Sequence, residues 1–151
     1  MNNTGYLHHE DIIRNIDEAY YNKDTSVHAL YMPTYHYMDN HFSAGAMYST
    51  AQDLLIFDQA IFNHTLLKKA TVELMLTPYK ELEDVAFGFW VYPRKIGKVN
   101  TLFAERQGSG YGHNSNWVHL IDKGITLILL SNTETADLNK MRINVLAAYL
   151  H

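Results

Sequence analysis

Two apolar runs separated by three residues constrain this chain most. Residues 116–121 (NWVHLI) and 125–131 (ITLILLS) flank Asp122-Lys123-Gly124. Glycine there supplies the positive φ that a tight antiparallel connection needs, so the pair reads as a β-hairpin. Upstream, 86–92 (AFGFWVY) and 100–106 read as two further strands. Downstream, 137–150 places Leu138, Met141, Ile143, Val145, Leu146 and Tyr149 at amphipathic helical spacing. A meander followed by such a helix must bury one sheet face beneath it. The expected fold class is α+β, an antiparallel sheet of about three to five strands with the C-terminal helix packed on it.

The first half reads as helical. Residues 9–21 (HEDIIRNIDEAYY) suit a short helix with Ile12, Ile13, Ile16 and Ala19 on one face. Residues 22–42 read as irregular surface loop, interrupted by Pro33. Ser49-Thr50-Ala51-Gln52 fits a capping box, with the serine hydroxyl as cap. The stripe Leu54, Leu55, Phe57, Ala60, Ile61 and Phe62 then predicts a helix over 50–62. A second helix is expected over 66–76, stopped before Thr77-Pro78. The 151 residues read as one partial domain, with a helical part over 1–78 and the meander plus final helix over 79–151.

Composition removes several classes of function. The formal charge is −4 and no basic block occurs, so nucleic acid is not an expected partner. There are no cysteines, which excludes disulfides and thiol nucleophiles and leaves the compartment open. The longest apolar run, 125–130, is far shorter than the roughly 20 residues of a membrane-spanning helix. The opening MNNTGYLHHED is polar, and no signal peptide is expected in it. His8, His9, His36, His41 and His119 raise a metal question, but no metal-ligand spacing such as His-Glu-x-x-His occurs. Neither a metal nor another cofactor is expected. Trp90 and Trp117 read as sheet packing, and the tyrosines of 31–37 as solvated loop or the rim of a cleft.

Between two strand-like runs, 104–117 (AERQGSGYGHNSNW) carries far more polar chemistry than a turn requires. Arg106, Gln107, Gly108, Ser109, His113 and Asn114 are the candidate site residues. A surface arginine at a strand end and a turn histidine with a satisfied hydrogen bond are the plainer alternatives.

Several segments resemble, in order, those of the serine β-lactamase-like family, which spans class C β-lactamases, penicillin-binding D-alanyl-D-alanine carboxypeptidases and related esterases. Met1-Asn2-Asn3-Thr4-Gly5-Tyr6 is similar to GMxxTGY. Ile12-Ile13-Arg14-Asn15 with Tyr20 is similar to IIPN…GY, with Arg14 in place of proline. Residues 44–54 (AGAMYSTAQDL) resemble AGGMYSTAxDL, 87–91 (FGFWV) resemble YGFGFWV, and 125–133 resemble the last core strand. Individually these are short; five in order are specific.

The resemblance implies a role for each candidate. Arg106-Gln107-Gly108 falls where the family has Lys-Thr-Gly or His-x-Gly on the strand lining the active site, and Gly112-His113-Asn114-Ser115 matches the turn after it. The backbone N–H of Ser109 would then be an oxyanion-hole donor, and Arg106 the cation at the family's Lys or His position. Gln107, Gly108, His113 and Asn114 would face a small-molecule or peptide substrate. Arg106 departs from the family by its planar, permanently charged fork. The family's nucleophile, in Ser-x-x-Lys, is not found: Ser26, Ser43, Ser49, Ser109, Ser115 and Ser131 all lack a lysine three residues on. The expectation is the C-terminal portion of a serine hydrolase acting on a peptide, β-lactam or ester, without turnover alone. A non-catalytic binding module with an anion-binding notch at Arg106 is the alternative. Segments missing from the family's fold would leave a sheet edge and some of Leu54, Phe57, Ile61 and Phe62 uncovered. A homo-oligomer, or pairing with the N-terminal portion, is therefore expected, through the 86–92 strand and the final helix.

Overall fold

The computed structural model describes residues 1–8, 10–22, 30 and 38–150. A two-stranded antiparallel ribbon, β1 (Gly5–Tyr6) with β2 (Met47–Tyr48), leads into α1 (Ala51–Phe62) and α2 (Lys69–Met75). The main sheet follows as β3 (Trp90–Ile96), β4 (Val99–Gly110), β5 (His113–Leu120) and β6 (Ile125–Ser131), all antiparallel neighbours in sequence order. Helix α3 (Leu138–Tyr149) closes the chain. This is the expected α+β arrangement, with helices covering both faces of the sheet.

Turn chemistry sets the meander. Register runs from Leu120↔Ile125, so the expected hairpin turns through residues 121–124 with Gly124 at φ 63°. Asp122 closes that end by accepting from Leu102 N–H and the Thr101 hydroxyl. Desolvation raises its pKa, but these bonds and Lys123 outweigh it and hold the carboxyl down at about 2. Its contribution is therefore complete above the ordinary carboxylate pKa and is lost as pH falls toward 2.

Alternation assigns the strands' side chains to two cores. Ile96, Phe103, Val118 and Leu120 pack with Leu146 of α3. On the opposite face Val91 and Ala104 pack with Ala86 and Phe89, and Phe62, Met75 and Leu76 from the α1–α2 side lie against them. A buried carboxylate ties the helical layer to the sheet on each face. On one, Asp58 of α1 accepts from Trp117 Nε1 at 2.7 Å, Thr126 Oγ1 at 2.6 Å and His119 Nδ1 at 3.1 Å. On the other, Glu105 of β4 accepts from Tyr92 Oη, Asn116 Nδ2 and Arg142 Nη1 of α3.

Several expectations change. Residues 10–20 form no helix: Ile12 is 95% exposed and Ile16 is also exposed, whereas Ala19 is buried. The segment instead runs to a bridge between Tyr20 and Thr133, so its backbone bonds go to the end of the sheet. His9, 23–29 and the tyrosine-rich 31–37 lie outside the described residues. Within the expected loop 22–42, residues 38–42 belong to a 3-10 turn, Met38–Ala44. The cap of α1 is Thr50, not Ser49; its hydroxyl accepts from Asp53 N–H at 3.2 Å. Ser49 pairs with Thr4, while Asp53 accepts from Asn3 N–H and Thr4, so the family-like segments 1–6 and 44–54 meet at this cap. The hydrogen bond from Asn3 leads the causes that lower the Asp53 pKa.

Helix α2 starts only at Lys69. The strand expected over 86–92 begins at Trp90, because Ala86 N–H closes back on Phe89 O and Gly88 turns at φ 85°. Helix α3 buries only part of its expected face, and Ile143 packs against the core beside it. Leu138, Arg142 and Leu146, spaced four apart, are the buried positions, while Met141, Val145 and Tyr149 are exposed. The α1 stripe is better covered than expected. Ile61 is buried, Leu54, Phe57 and Phe62 are half-buried, and Phe57 and Phe62 pack on Trp117 and His119.

Replacing Arg142 by alanine strands the Glu105 charge beneath α3. Urea unfolding should show a loss of about 3–5 kcal/mol for Arg142→Ala, largely recovered in Glu105→Met/Arg142→Leu. A single substitution costing less than about 1 kcal/mol would show that the pair does not anchor the helix.

Candidate active-site strand and its notch

The candidate segment lies where β4 outruns its neighbour. The last rung between β3 and β4 is Trp90↔Glu105, whereas β4 stays paired with β5 through Gly110↔His113. Residues 106–110 therefore have a strand on one side only. In a ladder, alternate backbone groups point to each side, so part of the polar backbone of this stretch faces an edge with no strand partner among the described residues. Gly108 and Gly110 lack Cβ atoms, and all five residues are exposed.

Register then separates the candidate side chains. Gln107 and Ser109 pair with Asn116 and Asn114, placing these four on the face that carries α3. There Gln107, Gly108, Ser109, Asn114 and Asn116 line a notch of about 440 Å³ against the start of α3, from Ala136 to Asn139. Asn114 is fixed by donating Nδ2–H to Glu134 O at 3.2 Å, and Asn116 by its bond to Glu105. Arg106 and His113 are not part of this notch. Arg106 lays its guanidinium over the Trp90 ring, 5.2 Å from the centroid. His113, the first residue of β5, pairs with Asp17 at 3.2 Å.

The hairpin tip is held from outside. Tyr111 and Gly112 both have positive φ (51° and 86°), the signature of a two-residue type I′ turn. A Cβ on Gly112 would lie 2.7 Å from Tyr20 O and 2.9 Å from Tyr20 N, both rigid backbone. His41 reaches the Tyr111 hydroxyl at 3.0 Å. A Cβ on Gly108 would meet only the Ser115 hydroxyl, at 2.8 Å, so packing inside this chain demands glycine less there than at Gly112.

Sequence reasoning missed the supports of this site, Glu105, Arg142 and Asn116. The signal was present: Arg142 stands four residues from both Leu138 and Leu146, a charge in the middle of an apolar face. Asp58, between Leu54 and Phe62, repeats it. Among the described residues no group of three or more histidines and acids is placed to hold a metal ion, and no helix is long and apolar enough to cross a membrane.

Comparison with known proteins gives a distant relationship to penicillin-binding proteins. An alignment of 102 residues, covering 65% of this chain, is 31% identical to penicillin-binding protein 4* of Bacillus subtilis (strain 168). The chain matches only 22% of that protein's length. No protein-family profile matches the chain.

Gly112→Ala should cost about 1–3 kcal/mol in chemical denaturation, since it combines a strained φ with a backbone clash. Gly110→Ala, whose Cβ meets nothing within 4 Å, is the control and should stay within about 0.5 kcal/mol. Equal midpoints for the two variants would show that the tip does not seat on Tyr20.

Proposed function

We propose that this chain is the C-terminal wall of a serine hydrolase cleft of the β-lactamase-like family, acting in acyl transfer on a peptide, β-lactam or ester. The observation that carries the reading is the glycine-containing stretch 106–110, which runs past β3 and offers backbone to an open edge. A Ser109 N–H at such an edge can hold the oxygen that becomes negative when a carbonyl is attacked. One such donor is worth about 3–4 kcal/mol of transition-state stabilisation. Gln107 and Asn114 would contact the substrate, and Arg106 would supply the cation after leaving Trp90. The similarity to a penicillin-binding protein agrees with this assignment. The nucleophile and its base would come from a Ser-x-x-Lys segment outside these residues.

The chain alone should give no turnover of a chromogenic cephalosporin or p-nitrophenyl acetate above background, and adding a segment that carries Ser-x-x-Lys should produce it. Gly108→Val should then lower that turnover by at least about 100-fold, the scale of a lost oxyanion contact, with little change in thermal stability. Turnover by the chain alone, abolished by mutating one of its own serines, would overturn the division of labour. Unchanged activity in Gly108→Val would remove the strand from the cleft.

A second reading is supported by the absence of an acidic partner for Arg106 among the described residues. On that reading the chain is a binding module that captures a carboxylate and forms no acyl-enzyme. A fluorescent penicillin that binds reversibly, is weakened by Arg106→Gln and leaves no covalent label even with the complementing segment would favour it.

We further propose a homo-oligomer, or pairing with the N-terminal portion, through the open edge of β4 and the exposed Leu55, Ile56 and Phe87. Sedimentation equilibrium at micromolar concentration should show a dimer or larger species. A monomer that unfolds cooperatively and binds no apolar dye would reject it.

A further inference from the structure

The notch beside α3 holds a buried acceptor that the fold leaves unsatisfied. Asn116 lines it and is only 1% exposed, and its Oδ1 has no hydrogen-bond partner among the described residues. Burying an amide oxygen without a donor costs free energy, which a ligand that brings a donor recovers. The other such atom, Arg142 Nε, belongs to a residue that does not line the notch.

The neighbouring ion pair decides which way the Asn116 amide points. A guanidinium stays charged in proteins, so the Glu105 carboxylate in contact with Arg142 is ionised and only accepts. Asn116 must therefore present Nδ2–H to Glu105, which it does at 3.1 Å. Glu105 is not part of the notch lining, so the donor end of the amide turns away and Oδ1 is the polar end left on the notch side. Gln107 stands directly across from Asn116 in register. It is exposed, and rotation of its side chain, fast for a surface residue, opens Oδ1 to an incoming donor.

The rest of the lining sets the charge of the ligand. Gln107, Ser109, Asn114, Ser115 and Asn139 are uncharged. A helix N-terminus favours an anion, but Asp137 already fills that role at α3, where its carboxylate accepts from Lys140 N–H at 2.9 Å. Helix end and cap offset each other, and the notch is left neutral. A second carboxylate there would face both Asp137 and the bare Asn116 oxygen. We propose that the notch selects ligands bearing an uncharged carboxamide, and that Asn116 is the residue that reads it. The ligand's N–H donates to Asn116 Oδ1, and its carbonyl accepts from the hydroxyls and side-chain amides around it. This inference rests on the reading of 106–110 as a cleft wall and narrows its substrates to those with a free amide N–H, at the expense of plain esters and carboxylates.

Benzamide tests this, with benzoate, benzamidine and methyl benzoate as an anion, a cation and a donor-free ester of matched shape. NMR titration of the whole chain should show saturable benzamide binding at millimolar concentration, with the Asn116 side-chain NH2 signals among those that move most. Each control should bind at least about tenfold more weakly, the scale of one unmade hydrogen bond to a buried group. Asn116→Leu nearly keeps the volume and should remove the preference for the amide. That variant also takes a donor from Glu105 and can loosen the fold, so Asn139→Trp is the second. It fills the mouth from an exposed position in the first turn of α3 and should abolish binding with the thermal midpoint unchanged. No saturable benzamide binding up to about 50 mM, a control that binds as tightly as benzamide, or binding unaffected by Asn139→Trp would each overturn the proposal. Failure of the cleft reading would show separately, as turnover unchanged in Gly108→Val while benzamide still binds selectively; the carboxamide site then stands without the hydrolase.

Discussion

The buried ion pair between Glu105 and Arg142 is the contact on which the geometry of the sheet's upper end depends. Glu105 is the last residue of β4 with strands on both sides, and its carboxylate collects Tyr92 from β3, Asn116 from β5 and Arg142 from α3. Three elements thus converge one residue before the candidate segment begins. A carboxylate taken out of water stays ionised only if enough donors surround it. That requirement pins α3 to one register on the sheet. The start of α3 in turn forms one wall of the notch, so its width follows from a salt bridge that does not itself line it.

Asp58 has the same role on the opposite face, with a different consequence. Its donors come from Trp117, His119 and Thr126, which orient the imidazole as well as satisfying the acid. On the Glu105 side the charge is neutralised by a guanidinium. On the Asp58 side the donors are an indole, an imidazole and a hydroxyl, which join α1 to β5 and β6.

The elements most legible in the sequence were those whose local chemistry and tertiary role agree. The loop around Gly124, the strand ending at Ser131 and the helix beginning after Thr50 follow from turn residues, alternation and capping, which act over a few neighbours. Failures occurred where long-range bonds displaced local preference. Residues 10–20 have helical spacing, yet their backbone reaches the sheet at Thr133. Of the six apolar residues of 137–150, Leu138, Ile143 and Leu146 face the core, whereas Met141, Val145 and Tyr149 are turned out and Arg142 takes a buried place to reach Glu105.

By itself the sequence determined the α+β class, the order of the meander, and the candidacy of the polar stretch from Arg106 to Asn114, since hydrogen-bonding side chains beside glycines are visible in one dimension. Only the tertiary structure decided which of them share a surface. Strand register put Gln107, Ser109 and Asn114 with the start of α3, whereas Arg106 went to Trp90 and His113 to Asp17. It also decided that β4 outruns β3, and that Asp58 and His119, 61 positions apart, meet. Side-chain type is a local property. Register, strand overhang and the pairing of buried charges depend on contacts between distant segments, whose desolvation is settled only when the layers pack.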